Sequence, residues 1–337
     1  MRNPSSRRAF LKATAAIGGA GAIGAPAFTY AQGAPRTLKF GHMLPPDQVH
    51  HKAIVLFGEE LAKLSGGKIK LDIFPSSQMG SIPEMLQSVQ AGSLSMTLAV
   101  PAWYSSFIKP FDAFTLPYLV GNEAKLRPAL EGALGAQMNK MAEAAGFKIL
   151  GFLLLGARSI ANKQRPVNTP ADMKGMKLRV INSPVYLAAF RALGANPVAM
   201  DPSELYLALQ QGVVDGFEYP LPDLLAQRMN EVSKYLSLDR HTTDFFIVTT
   251  SVKSWSALSA QEQGWVTAAM KTAMDWQWKT QPQEIANALA KLRTLMTVNE
   301  ISPENKKLFV DATKPVYAQF EPTIGKDFLQ LAIKELN

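Results

Sequence analysis

The sequence predicts an α/β fold made of two domains. Three observations support this prediction: strand-like and helix-like segments alternate along the chain, two sets of such segments lie before and after about residue 156, and a long helical segment follows. Short strands separated by helices form mostly parallel sheets with helices on both faces. Ligands of such folds bind where the carboxyl ends of strands meet. We therefore expect a binding cleft between the two domains.

The first half of the chain carries four strand-like segments separated by helix-like ones. Strands are predicted over residues 37–43, 68–74, 96–100 and 147–155. Helices are predicted from Asp47 to Gly66, from Ser81 to Gly92 and from Asn122 to Ala145. The second of these helices begins with Ser81-Ile82-Pro83-Glu84, which is a capping box with proline in the first turn.

The second half repeats this alternation and then becomes helical. Strands are predicted over residues 177–181, 197–200, 213–219 and 241–250. Shorter helices are predicted over residues 184–194 and 203–211, and a glycine marks the end of each. The segment Ser259-Ala260-Gln261-Glu262 is another capping box, which predicts the start of the long helix.

The N-terminus has the layout of a twin-arginine export signal. Ser6-Arg7-Arg8-Ala9-Phe10-Leu11-Lys12 is followed by an uncharged run of small and apolar residues over 13–25. Small residues predict cleavage near Ala27 or Ala31. We therefore interpret residues 1–31 as a signal peptide and predict that the mature protein is periplasmic.

Composition excludes several classes of site. The chain has no cysteine, so it has no disulfide, zinc thiolate site or thiol nucleophile. Loss of residues 1–31 would leave 31 basic against 27 acidic residues, a net charge of +4 instead of +8. This modest charge favours an anionic ligand only weakly, and no basic run suggests nucleic acid as a partner.

Motifs of catalysis are absent from the sequence. No glycine-rich phosphate loop follows a predicted strand, no Gly-x-Ser-x-Gly elbow is present, and the four histidines do not have metal-ligand spacing. We therefore expect a binding protein without a cofactor or metal ion, and not an enzyme. His42 ends the first predicted strand and is a candidate for the cleft wall.

Five ordered motifs resemble the DctP family, the solute receptors of TRAP transporters. They are Phe74-Pro75-Ser76-Ser77-Gln78-Met79-Gly80, Leu116-Pro117-Tyr118, Lys174-Gly175-Met176-Lys177-Leu178-Arg179-Val180, Gly194-Ala195-Asn196-Pro197 and Glu204 through Gly216. The resemblance covers essentially the whole chain after the signal. It implies a two-domain periplasmic binding protein-like fold, with crossing segments and a long C-terminal helix that links the domains.

The resemblance also implies domain boundaries and partners. Domain I would comprise residues 32–156 with about 245–284, and domain II would comprise 157–244 with about 285–337. The partners would be a small carboxylate ligand and the integral-membrane subunits of a TRAP transporter.

Two arginines are implied as the carboxylate-binding residues. Arg179 matches the arginine of the family's strand motif, and Arg158 in Gly156-Ala157-Arg158-Ser159 matches a second family arginine. The planar guanidinium of arginine suits a carboxylate because it can donate two parallel hydrogen bonds. Asn182, just after the Arg179 strand, completes this part of the candidate site.

Departures from the family pattern narrow the expected ligand. Tyr219 stands where the family has asparagine, and the matching loop Val100-Pro101-Ala102-Trp103-Tyr104 is apolar and aromatic. We expect Trp103, Tyr104 and Tyr219 to line a site for a compact or aromatic monocarboxylate, such as a 2-oxo or 2-hydroxy acid. Glu218 is a further candidate, because some relatives bind the carboxylate through a metal ion.

Two alternatives remain open from sequence alone. A C4-dicarboxylate would use Arg158 and Arg179 at one end and His42 or a backbone group at the other. A ligand-sensing subunit for a membrane kinase would use the same pocket with another partner.

Overall fold

The computed structural model describes residues 35–337, so the predicted signal at 1–31 lies outside the described residues. The strands in this part are β1 (Arg36–Gly41), β2 (Ile69–Phe74), β3 (Met96–Ala99), β4 (Phe147–Asn162), β5 (Lys177–Val180), β6 (Asn196–Ala199), β7 (Gly216–Pro220), β8 (Tyr235–Ser251) and β9 (Thr297–Glu300). The α-helices are α1 (Val49–Leu64), α2 (Ile82–Ala91), α3 (Pro101–Tyr104), α4 (Leu126–Glu131), α5 (Ala133–Ala144), α6 (Pro184–Ala192), α7 (Pro202–Gln210), α8 (Leu221–Ala226), α9 (Val252–Ser256), α10 (Ala260–Leu295), α11 (Pro303–Ile324) and α12 (Lys326–Leu336). Short 3₁₀ helices span Lys109–Thr115, Glu123–Lys125, Pro170–Met173 and Met229–Glu231.

All of these strands belong to one mixed sheet. Its order is β2-β1-β3-β8-β4-β7-β5-β6, and β9 also pairs with β8. The three strands β1–β3 run parallel on one side, and β5–β7 run parallel on the other. Between them, β4 and β8 form a long antiparallel pair. The predicted α/β fold class with crossing segments is confirmed, whereas the domain boundaries stay a prediction.

The two long strands are longer than their sequence patterns suggested. β4 continues from the predicted 147–155 to Asn162, and β8 begins at Tyr235 instead of 241. Their pairing shifts register between Leu154 and Gly156. Gly156 has a φ of +107°, and a Cβ built there would lie 2.6 Å from Cδ1 of Ile285 in α10. Only glycine suits this irregularity, which lies two residues before Arg158.

Helix α10 packs on the same irregularity. The capping box at Ser259 and Glu262 starts the helix as predicted. The buried side chain of Gln277 accepts a hydrogen bond from Leu154 N and donates one to Leu154 O, while Gln281 donates to Leu155 O. These amides satisfy backbone groups that the shifted strand pairing leaves without partners. The helix therefore holds the central part of β4 in place.

Two further findings concern helices. The prediction of one continuous helix over residues 122–145 was wrong. Gly132, with φ −103° and ψ −142°, interrupts it and separates α4 from α5. Within residues 35–337, the helices lack the combination of length and apolar character that crossing a membrane requires.

Candidate functional site

A small cavity lies where several strands of the two parallel groups end. It has a volume of about 30 Å³, and we call it the inner cavity. Its walls are formed by Met43, Val100, Trp103, Leu155, Arg158, Arg179, Ile181, Pro202, Tyr219, Asp223, Gln227 and Phe246. Val100 directly follows β3, Ile181 directly follows β5, and Tyr219 lies near the end of β7. The site is therefore at the strand ends, as expected for an α/β fold.

Arg179 is a fully buried cation with an unsatisfied nitrogen. Its Nε and Nη2 both donate to the carbonyl oxygen of Met200, at 3.0 and 2.7 Å. Nη1 has no hydrogen-bond partner in the described residues. Its distance to Glu218 Oε1 is 4.0 Å, which is too long for a hydrogen bond. Burial lowers the pKa of Arg179 from its usual value, because the guanidinium has lost water without gaining a direct carboxylate partner.

Arg158 also lines the inner cavity, but each of its guanidinium nitrogens already donates a hydrogen bond to a carboxylate of the protein. Nε donates to Glu218 Oε2, and Nη2 donates to Glu218 Oε1 at 3.0 Å. Nη1 donates to Asp244 Oδ2 at 3.1 Å. Burial would lower the pKa of Arg158, but the adjacent Glu218 raises it well above the usual value. The structure therefore gives Arg158 two protein carboxylates and leaves Arg179 as the cation with free donors.

Glu218 lies in a buried ion cluster behind the cavity wall. We use this name for Arg158, Glu218, Asp239, His241 and Asp244. His241 Nδ1 lies 2.8 Å from Asp239 Oδ2, and its Nε2 lies 3.5 Å from Glu218 Oε2. Burial alone would raise the pKa of Glu218, but Arg158 and His241 lower it to about 2. Burial alone would lower the pKa of His241, but Asp239 and Glu218 raise it to about 9.

Tyr219 forms an aromatic wall beneath both arginines. The centre of its ring lies 5.5 Å from Cζ of Arg158 and 5.7 Å from Cζ of Arg179. Its hydroxyl donates to Gln227 Oε1 at 3.2 Å. The ring face therefore stabilises the two cations by cation–π interaction, and the hydroxyl proton is already used within the protein.

Trp103 lines both the inner cavity and a second one. This outer cavity has a volume of about 440 Å³. Its walls are Ser81, Pro83, Trp103, Asn182, Ala199, Met200, Asp201, Ser203 and Glu204. Asn182 lines this cavity only, whereas Trp103 borders both. The outer cavity is polar on the side that α7 and its preceding loop provide.

Two predicted wall residues lie outside both cavities. Tyr104 is in the core, where its hydroxyl donates to Ile247 O at 3.1 Å and bonds to Thr249 Oγ1 at 2.8 Å. His42 Nε2 lies 3.1 Å from His51 Nδ1, and its own Nδ1 accepts from Leu44 N. Burial, followed by the neighbouring His51 and His50, lowers the pKa of His42 to about 3. The structure thus does not bring Tyr104 or His42 to the candidate site.

Sequence reasoning missed the polar residues Asp223 and Gln227. Both follow Tyr219 closely and belong to α8 and its C-terminal end. A carboxylate within the apolar sequence Leu221-Pro222-Asp223-Leu224-Leu225 was a signal that could have indicated Asp223. The apolar wall residues gave no such signal, because any core side chain looks the same in sequence.

A larger cavity of about 610 Å³ lies elsewhere, between α1, α8 and α10. Its walls carry two acidic residues, Asp47 and Glu284, and two basic ones, Arg228 and Lys291. We place the candidate site at the inner cavity because the unsatisfied buried group there, Arg179, is a cation, whereas the one in the wall of the larger cavity is the amide oxygen of Gln48. In residues 35–337, no group of three or more His, Asp or Glu side chains is placed to hold a metal ion.

Comparison with known proteins agrees with this architecture. The chain is 31% identical over 297 residues to the sialic acid-binding periplasmic protein SiaP of Vibrio cholerae, a match that covers 87% of this chain and 91% of that protein. The sugar acid-binding protein DctPAm of Advenella mimigardefordensis, solved with galactonate, is 31% identical with a TM-score of 0.87, and the match covers 90% of this chain and 98% of that one. A TRAP periplasmic solute-binding protein of Sulfurospirillum deleyianum, solved with succinate, is 28% identical with a TM-score of 0.84, and the match covers 89% and 98% of the two chains.

The fold is thus that of a solute-binding protein. The chain belongs to the DctP family, the bacterial extracellular solute-binding proteins of family 7, whose family model matches residues 40–323. The resemblance seen in the sequence motifs is confirmed.

Proposed function

We propose that this protein is a periplasmic receptor that captures a small organic-acid anion for a TRAP-type membrane transporter. The observation that carries the proposal is the free Nη1 of the fully buried Arg179. A buried guanidinium with an unsatisfied nitrogen and no carboxylate in hydrogen-bond contact is costly, and an anion bound there would offset that cost. The periplasmic location rests on the predicted export signal and on relatives that are named as periplasmic proteins.

Arg179 has the right free edge for a carboxylate. A guanidinium has five N–H donors, and the Nε and Nη2 atoms of Arg179 each use one on Met200 O. The edge formed by Nη1 and the second N–H of Nη2 has no hydrogen-bond partner in the described residues, and because Nη1 is fully buried, a ligand would reach it only after neighbouring side chains move. A ligand carboxylate can accept two parallel hydrogen bonds from that edge.

Arg158 and Tyr219 would act on the ligand through Arg179. Arg158 neutralises Glu218, whose negative charge would otherwise repel an incoming anion only 4.0 Å from Nη1 of Arg179. The centre of the Tyr219 ring lies 5.5 Å from Cζ of Arg158 and 5.7 Å from Cζ of Arg179, so the ring stabilises both cations where they stand. Arg158, Glu218 and Tyr219 are therefore positioning residues in this proposal.

The apolar wall supports a compact or aromatic monocarboxylate. Apolar side chains from both parallel groups surround the charged edge, including Met43, Val100, Leu155, Ile181 and Phe246. The volume of about 30 Å³ has room for one or two water molecules. Any such acid is larger, so we expect Trp103 to move when ligand enters from the outer cavity.

A C4-dicarboxylate is the second candidate, supported by the relative that was solved with succinate. The inner cavity of the described structure offers it one free cation, because Arg158 is bonded to Glu218 and Asp244. A second carboxylate would also lie near Asp223. A sugar acid would have to place its hydroxyl groups in the polar outer cavity.

A thermal-shift screen of the mature protein tests the proposal. The library would hold aliphatic, aromatic, 2-oxo, 2-hydroxy, dicarboxylic and sugar acids, because a ligand that binds the native state raises the melting temperature. Arg179→Gln should abolish the increase in melting temperature. Arg191→Gln, the same substitution at an exposed arginine, should keep it. No shift with any acid in folded, ligand-free protein would refute the proposal.

A receptor for transport and a sensing subunit would bind the same ligand, so the thermal-shift screen does not distinguish them. Co-purification with membrane transporter subunits separates those two roles.

A further inference from the structure

The inner cavity contains a buried carboxylate in addition to its arginines. Asp223 is 4% exposed and lies in α8, four residues after Tyr219. Its Oδ1 accepts a hydrogen bond from Gln48 Nε2 at 2.8 Å. Across residues 35–337, no group donates to its Oδ2, although the side chain lines the cavity. This oxygen is not fully buried, so it is open to a donor from a molecule in the cavity.

An acid beside the anion site is unexpected for a receptor of anions. Two negative charges in a small cavity repel each other, so Asp223 would weaken binding unless the ligand also supplied a donor. Burial raises the pKa of Asp223 to about 6, and Arg158 opposes this rise. At pH 8 the group is therefore ionised, and it can only accept hydrogen bonds.

Gln227 provides the complementary donor in the same wall. Its Oε1 accepts the hydroxyl proton of Tyr219, which fixes the amide so that Nε2 is the atom left to donate. The cavity thus offers an acceptor at Asp223 and a donor at Gln227. A hydroxyl group matches both, because it donates one hydrogen bond and accepts others.

We infer that Asp223 selects ligands that carry a hydroxyl on the carbon next to the carboxylate. The inference rests on the proposed function, in which Arg179 binds that carboxylate. Arg179 and Asp223 line the same cavity, and this inference places the atoms next to a carboxylate on Arg179 against Asp223. The ligand hydroxyl donates to Oδ2.

The same contact excludes related acids. A 2-oxo group is an acceptor, so it would face Oδ2 of Asp223 without a proton between the two oxygens. A 2-deoxy acid leaves Oδ2 buried without a donor. A site that is built to bond a substrate hydroxyl rejects an analogue that lacks it more strongly than an apolar pocket does.

Matched acids measured by calorimetry at pH 8 test the inference. The probes are mandelate, phenylglyoxylate and phenylacetate; 2-hydroxyisocaproate, 2-oxoisocaproate and isocaproate; 2-hydroxyglutarate, 2-oxoglutarate and glutarate; and gluconate with 2-oxogluconate. In whichever series binds, the wild-type protein should bind the 2-hydroxy acid at least ~10-fold more tightly than the 2-oxo acid. Asp223→Asn should reduce this ratio to below ~3-fold, because the amide can donate to the oxo oxygen.

Two control variants separate the possible outcomes. Asp327→Asn, a change of an exposed aspartate, should keep the wild-type ratio. Arg179→Gln should weaken every member of a series, whatever group is next to the carboxylate. Equal affinity of wild-type protein for hydroxy and oxo acids would overturn the role of Asp223 but not the role of Arg179. An unchanged ratio in folded Asp223→Asn would do the same. Failure of folded, ligand-free wild-type protein to bind any probe would overturn the proposed function and this inference together.

Discussion

The closest approach between Glu218 and Arg179 is 4.0 Å, from Oε1 to Nη1, although both side chains are fully buried. Glu218 instead accepts hydrogen bonds from Arg158 at both of its carboxylate oxygens. The protein therefore neutralises one of two adjacent cations and leaves the other with free donors. We therefore expect a substitution of Arg179 to change mainly ligand affinity, and a substitution of Glu218 to change mainly the stability of the fold.

Arg179→Gln should remove most ligand affinity and keep the fold. Loss of one partner of a buried charged pair costs roughly 2–5 kcal/mol of binding free energy. The ligand-free variant should be about as stable as the wild type, because removal of a buried charge that lacks a carboxylate in hydrogen-bond contact offsets the loss of the two hydrogen bonds to Met200 O. Calorimetry with the acid found in the screen and urea unfolding would measure the two effects. Retained affinity would show that Arg179 does not bind the ligand.

Glu218→Gln should destabilise the fold strongly. The variant leaves Arg158 and His241 in the buried ion cluster without the carboxylate between them, which typically costs roughly 3–5 kcal/mol of unfolding free energy. Asp311→Asn is the matched control, since its ion pairs with Lys307 and Lys314 are exposed. The control should change the unfolding free energy by less than ~1 kcal/mol in urea titrations. Similar losses in both variants would contradict the importance of the buried cluster.

His241 should make the protein less stable as the pH rises from about 6.5 to about 9. Its pKa is raised from 6.5 in the unfolded chain to about 9 in the folded one, so the folded state binds its proton more tightly. The resulting stabilisation is complete below the unfolded pKa and is lost as pH rises through the folded value. It can amount to roughly 3 kcal/mol. Urea unfolding across this pH range should show a steeper decline for the wild type than for His241→Gln.

Gly156→Ala should lower the unfolding free energy by more than ~1 kcal/mol, because φ is positive there and the new Cβ would press on Ile285. Gly175→Ala isolates the backbone cost, since its φ is +76° and nothing lies within 4 Å of a Cβ. Gly264→Ala lies in α10 with open space around the Cβ and should be neutral or stabilising. Thermal unfolding should therefore rank the three variants in that order, from least to most stable. Equal losses at Gly156 and Gly175 would exclude a contribution from Ile285.

Features that depend on residues close together in the chain were predicted well from the sequence. The capping boxes at Ser81 and Ser259 mark helix starts because their hydrogen bonds join residues three apart. Arg179 was identified through the family motif in its strand, and its role as a ligand-binding residue stays a prediction. The lengths of β4 and β8 were not predicted correctly, because they depend on partner strands that are distant in the sequence.

The charge balance of the site could not be predicted from the sequence. Arg158 looked equivalent to Arg179, but Glu218 from β7 and Asp244 from β8 are brought to it by the sheet register. Tyr104 and His42 follow the expected strands, yet their side chains hydrogen-bond within the core instead of at a cavity. Which side of an apolar element is open to a cavity is decided only when distant segments pack.

The unbroken course of β4 and β8 limits how the two parallel groups of strands can move. A change in the angle between them has to be absorbed by bending of a continuous two-stranded ribbon, since no loop interrupts either strand within β4 or β8. The pairing of the ribbon changes register at three places, where strands bend, and two of these places, at Leu154/Gly156 and at Arg158/Ile160, flank Arg158. Ligand binding and bending of the two-stranded ribbon would then involve the same few residues on either side of Arg158.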